Sequence, residues 1–184
     1  MAKNALYGIK SIKVMDVADN GAFPLFNNIT EGVNGVTIKA IVRDSFTFSD
    51  SAPSQTTIDV EEVDTTYLAL NSDDGTLSFS FGTYDMSEEC LKYFQSYTEG
   101  EGANEGFLVA APQRKSLVCA VQVVTREQGD IPSFQMEWAK LKIEVARTGT
   151  LGKSGLPNMT LTCTEVANLD NSGKAVPNFR RKAV

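Results

Sequence analysis

Histidine is absent from this chain of 184 residues. Its absence excludes Ser-His-Asp and Cys-His catalysis, His-ligated zinc and any imidazole pH switch, so most common hydrolase mechanisms fall away before a motif is read. Cysteine is scarce: Cys90, Cys119 and Cys163 are widely separated, form no Cys-x-x-Cys pair and are odd in number. That usage predicts buried small hydrophobes in a reducing compartment. Basic residues are outnumbered, 17 Lys plus Arg against 23 Asp plus Glu, for a net charge of -6. With a pI near 4.7, the sign is wrong for a nucleic-acid grip. Long apolar runs are missing too: stretches such as Phe107 to Ala111 fall far short of the ~20 residues of a membrane helix. Met1 to Lys10 lacks the apolar stretch and cleavage site of a secretory leader, so synthesis in the cytoplasm without a membrane anchor is expected. Asn28-Ile-Thr30 and Asn158-Met-Thr160 are then chance matches to the glycosylation triplet.

What is present is alternation. A chain with 42% hydrophobic and 22% charged residues is expected to fold as one domain over 1–184. Period-two patterns rich in Val, Ile, Thr and Phe predict strands at Ile9 to Val17, Val36 to Arg43, Thr56 to Val63, Thr65 to Leu70 and Thr76 to Phe81. Further strands are expected at Gly106 to Ala111, Ser116 to Thr125, Phe134 to Ala146 and Met159 to Val166. Asp19-Asn20-Gly21, Asn34-Gly35 and Asp73-Asp74-Gly75 read as tight turns between them. The fold class is therefore mainly β: two packed antiparallel sheets, sandwich or barrel-like, with one flanking α-helix.

That helix is predicted between Asp85 and Tyr97, where Met86, Cys90, Leu91, Phe94 and Tyr97 recur at spacings of three and four. Asp85 followed by Glu88 resembles a capping pair. Leu91 and Phe94 are expected in the core, together with Phe134, Met136 and Trp138 on one parity of a long strand. In that strand Leu141, Ile143 and Val145 occupy the opposite parity. An extra residue near Ala139 and Lys140, a β-bulge, would bring both sets to one buried side.

Two stretches depart from the pattern. Residues 44–55 are polar and proline-interrupted but carry Phe46 and Phe48 on one parity, with Pro53 further on. A long protruding loop with a docking role is the expectation, set against a local turn with its own small core. Residues 168–184 are polar, then basic at Phe179-Arg180-Arg181-Lys182. Taken alone they read equally as a frayed extension.

No motif assembles a catalytic, cofactor or metal site. Gly149 to Ser154 lacks the leading glycine of a phosphate loop, Arg147 standing in its place, and Gly155 and Pro157 oppose the helix such a loop needs. Asp59, Glu61, Glu62 and Asp64 split between the two faces of a strand and read as a solvated acidic edge. Asp16 to Gly21 and Asn71 to Gly75 lack the spacing of a calcium loop. Arg114-Lys115 and Arg180-Arg181-Lys182 are too short for a nucleic-acid footprint. An enzyme is not expected.

The order of elements carries one resemblance. A strand opening at Tyr7-Gly8-Ile9 is followed by Val36-Thr-Ile-Lys-Ala-Ile-Val-Arg43 and the polar loop, and Thr76-Leu-Ser-Phe-Ser-Phe81 leads into the helix. Phe134-Gln-Met-Glu-Trp138, Lys140-Leu-Lys-Ile-Glu144 and Leu156-Pro-Asn-Met-Thr-Leu-Thr162 then look like closing strands. In this order the chain resembles the tail tube, or major tail, proteins of long-tailed bacteriophages. The resemblance implies a homo-hexameric ring, stacking of rings into a tube joined to other tail proteins, and passage of DNA without specific binding. It also implies that the loop at 44–55, the N-terminal arm and the tail from Asn168 cross subunit boundaries. Phe46, Phe48, Pro53, Phe179 and Arg180 are the corresponding contact candidates. A non-enzymatic binding or decoration module of a virion, and the tube of a related contractile injection machine, are the alternatives.

Overall fold

A computed structural model describes residues 8–58, 68–73, 75–111, 117–150 and 156–184. The acidic run from Asp59 to Asp64, Arg114-Lys115, the N-terminal arm and most of the glycine-containing stretch from Gly149 to Ser154 lie outside the described residues. Alternating β-branched and aromatic residues form β1 (Ile9–Asp16), β2 (Gly35–Ile38), β3 (Thr47–Phe48), β4 (Ser54–Ile58), β5 (Leu68–Asp73) and β6 (Ser78–Thr83). One helix follows, α1 (Glu88–Gln95), then β7 (Tyr97–Glu99) and β8 (Leu108–Ala110). The chain ends with β9 (Leu117–Thr125), β10 (Phe134–Thr148), β11 (Asn158–Glu165) and β12 (Phe179–Ala183). It is mainly β, with one large antiparallel sheet, smaller two-stranded sheets and the flanking helix.

The large sheet runs in the order β2-β1-β9-β10-β11-β6-β3, with β12 added on β10. Its two ends meet on one stretch of chain, residues 35–48. The first part of that stretch pairs with β1, from Met15 opposite Gly35 to Ile12 opposite Ile38. Ala40 then adopts a left-handed φ of 50° and redirects the chain onto β6. There the Val42 N–H donates to the Gly82 carbonyl at 2.8 Å and the Tyr84 N–H to the Ala40 carbonyl at 3.0 Å. The sheet thereby curls around one core, to which Ile12, Val36, Phe81, Val121, Trp138, Leu141 and Leu161 all contribute. Curling a sheet until its ends share a strand removes most exposed edges.

The bulge on β10 lies where the parity change places it. The register against β9 shifts between Trp138 and Leu141, so Met136, Trp138, Leu141 and Ile143 all enter the core cluster. The sheet also branches at this bulge. Phe134 to Trp138 pair with β12, whereas Leu141 to Thr148 pair with β11.

Several expectations are corrected. Residues 44–55 do not form a free loop: β3 pairs with β6, Thr47 opposite Ser80 and Phe48 opposite Phe79, and Ser51 bridges Thr76. The single parity of Phe46 and Phe48 reflects this edge strand. Beyond it β4 and β5, among the described residues, pair only with each other. Residues 168–184 are not frayed, because β12 pairs along β10 and the Asn178 side chain bonds both the N–H and the carbonyl of Lys140. Asn34 closes a turn over residues 32–34, but neither Asn34 nor Gly35 has the positive φ of a tight hairpin turn. Gly35 begins β2, where a Cβ would come within 2.6 Å of the Val14 carbonyl oxygen, and close approach of strands is what requires the glycine. The helix is shorter than its stripe. Ser87, with its side chain accepting from the Cys90 N–H, is the N-cap, while Asp85 accepts from the backbone N–H groups of Lys39 and Ser87. Ser96, in the left-handed region at φ 54°, ends it.

Candidate interaction surface

Residues distant in sequence converge on one aromatic row. β6 holds Phe79 in the core with its ring 4.7 Å from that of Trp138 on β10. On one side Phe46 stacks on Phe79 at 5.2 Å and meets Phe48 edge-on at 5.2 Å. On the other, Phe179 of β12 lies 5.1 Å from Trp138. Such offset and edge contacts contribute about 0.5–1.5 kcal/mol each beyond the area they bury. Trp138 is 1% exposed, but the two ends of the row, Phe48 at 47% and Phe179 at 42%, open to solvent. The Trp138 indole N–H is buried with no hydrogen-bond partner among the described residues.

Of the contact candidates, Phe48, Phe179 and Arg180 are exposed. Phe46 is partly buried against the core, so it supports Phe79 and Phe81 rather than standing free as an anchor. Pro53 is exposed beyond the Ser51–Thr76 bridge, just ahead of β4. Among the core candidates, Phe134, Met136, Trp138 and Phe94 are buried and Leu91 packs partly buried against the cluster. Phe134 is capped by the Arg181 guanidinium, 3.9 Å above its ring.

On the opposite face of the same strand pair, a buried carboxylate pairs with the half-exposed Arg180, a contact the sequence pattern did not mark. Glu137, whose side chain is 5% exposed, lies 2.5 Å from an Arg180 guanidinium nitrogen. It also accepts from the Gln122 amide at 2.6 Å and the Gln135 amide at 2.5 Å. Burial alone would raise its carboxyl. The hydrogen bonds from Gln122, Arg180 and Gln135 outweigh burial and hold it below the usual carboxylate value. Arg180 also lies over the Phe23 ring at 4.3 Å. Parity was the available signal: in a strand with Phe134, Met136 and Trp138 inward, Glu137 faces away, and only a cationic partner lets a carboxylate be buried there.

A groove of about 1050 Å³ opens where the chain leaves β1 for β6. Phe46, Phe48, Met136 and Ile41 supply apolar lining, and Lys10, Lys39, Arg43 and Arg126 supply charge. The alternation pattern did not mark these cations, because they come from separate turns and strand ends brought together only by closure of the sheet.

The cysteines are core residues. Burial pushes the Cys90 thiol up to about 12 and the Cys119 thiol up to about 11, and it raises Cys163 as well. The Tyr93 hydroxyl donates to Asp16 at 2.8 Å and touches the Cys119 sulfur at 3.3 Å, tying α1 to β1 and β9. Among the described residues no group of three or more Cys, Asp or Glu side chains is placed to hold a metal ion. No described helix is long and apolar enough to cross a membrane. No protein-family model matches the chain, and no curated protein matches it.

Proposed function

We propose that this chain is a structural subunit of a phage tail tube, assembling as hexameric rings that stack into the conduit through which DNA leaves the virion. The supporting observation is the aromatic row with its two exposed ends on edge strands. In a sheet that otherwise closes on itself, β12 is exposed along all five residues, and Phe48 lies exposed on β3. An exposed edge strand presents backbone groups and side chains that another copy can cover. The net charge of -6 suits a conduit, since an acidic wall repels phosphate and a basic wall would hold it. On this reading the partners are further copies of the chain and the other tail proteins, and DNA passes without being bound. Negative-stain electron microscopy of the purified protein over a concentration series tests it. Six-fold rings or hollow filaments support the reading, and a globular particle of one chain throughout rejects it.

A further inference from the structure

We infer that the groove between β1 and residues 39–46 docks an extended acidic segment, and that its occupant is the stretch Asp59-Val-Glu-Glu-Val-Asp64 of a second copy of this chain. The inference deepens the assembly reading above, naming the partner of one surface.

Geometry supplies the first argument. β1 pairs with β2 only from Ile12 onward, while Ser11 and Ile9 remain paired with β9 on their other side. Where β2 would continue, the chain turns away at Ala40 to join β6. The result is a slot with one strand edge along its wall and an apolar floor that includes Ile9, Ile41 and Met136. A slot of this shape takes an extended segment whose backbone adds to the strand edge.

Charge supplies the second. The protein is acidic overall, yet Lys10, Lys39, Arg43 and Arg126 all line this groove, with Asp44 the sole carboxylate on the lining among the described residues. Asp44 is engaged by Arg43 at 3.5 Å, and the Arg126 Nε donates to the Ile9 carbonyl at 3.0 Å, fixing that side chain at the rim. Lys10 and Lys39 have no carboxylate within ion-pair distance among the described residues. The chain's own densest acidic run, Asp59, Glu61, Glu62 and Asp64, joins β4 to β5 and carries Val60 and Val63 between its charges. It matches the groove in sign and in its mixture of charged and apolar residues. Because the acidic run and the groove-lining residues are different parts of the chain, a contact between them in two copies is head-to-tail and propagates from copy to copy.

The test is a charge exchange in the full chain, read by sedimentation velocity and light scattering with circular dichroism to verify folding. One variant carries Lys39→Glu and Arg43→Glu; the other carries Asp59→Lys, Glu61→Lys, Glu62→Lys and Asp64→Lys. Like-charge juxtaposition weakens self-association of each variant alone by at least about tenfold in Kd. Mixed in equal amounts, the two restore association, because each 59–64 segment then has a groove of opposite sign to meet. Folded single variants that associate like the wild type overturn the proposal, as does a mixture that stays dissociated. A wild type that remains one chain at all concentrations, its acidic segment held within its own molecule, overturns it as well. Rings that persist in both variants reject the groove contact and leave the tube reading standing. Charge-rescued chains without six-fold rings support the groove contact and reject the tube.

Discussion

Trp138 on β10 and Phe179 on β12 stand directly opposite each other in antiparallel register, their ring centroids 5.1 Å apart. The last strand of the chain therefore covers the largest side chain of the core, and residues 179–183 are part of the folded unit. Removing residues 179–184 is expected to expose Trp138. Its fluorescence should shift to longer wavelength and the melting temperature should fall. An unchanged emission maximum in the truncated protein would contradict this packing.

Trp138→Ala is the more severe change. Truncating a buried aromatic costs about 3–5 kcal/mol, and here it also removes the ring joining Phe79 to Phe179. Urea unfolding should show a lower midpoint with an unchanged slope.

Phe46 and Phe48 separate stability from assembly. Phe48→Ser, at an exposed position, is expected to change stability by no more than about 0.5 kcal/mol while weakening association. Phe46→Ser removes a ring stacked on Phe79 and Phe81 and is expected to destabilise the subunit by about 0.5–3 kcal/mol. Thermal melts and sedimentation of the two variants distinguish these roles, and equal melting temperatures would contradict the assignment.

The ion pair between Glu137 and Arg180 makes the hold on β12 depend on acid. The Glu137 carboxyl is lowered from 4.5 in the folded chain, so its contribution is fully present above the unfolded value. It is lost as the pH falls through the folded one. Arg180→Ala should cost about 1.5–3 kcal/mol at pH 7, the range for a hydrogen bond to a charged group. Glu137→Gln should flatten the stability curve below about pH 4.5. A wild-type acid limb retained in Glu137→Gln would assign the pH dependence elsewhere.

Cys90, Cys119 and Cys163 are buried, with thiols raised above their ordinary value by that burial. The native protein is expected to leave all three unmodified by a thiol-specific reagent at pH 8 and to react at all three once unfolded. Rapid labelling of the folded protein would place a cysteine outside the core.

Elements whose burial has a simple period were legible in the sequence. The alternation of β1 and β11, the stripe containing Cys90, Leu91 and Phe94, and the bulge after Trp138 follow from which residues must face one core. What escaped were features set by long-range partners. β3 contains only Thr47 and Phe48 and exists because β6 offers an edge. β12 is exposed throughout, so its sequence carries no burial pattern, and it is fixed by Trp138, Glu137 and the Asn178 bonds to Lys140. The N-cap fell on Ser87 because Asp85 is taken by the Lys39 and Ser87 N–H groups. The groove was invisible for the same reason, since its cations meet only where one stretch of chain changes partner from β1 to β6.

Electron microscopy of the purified full chain across a concentration series, paired with light scattering for mass, tests the proposed assembly into rings. Six-fold rings that stack into hollow filaments as concentration rises are expected, with loss of both in Phe48→Ser. A particle of 20.0 kDa, the mass of one chain, at every concentration would contradict that assembly.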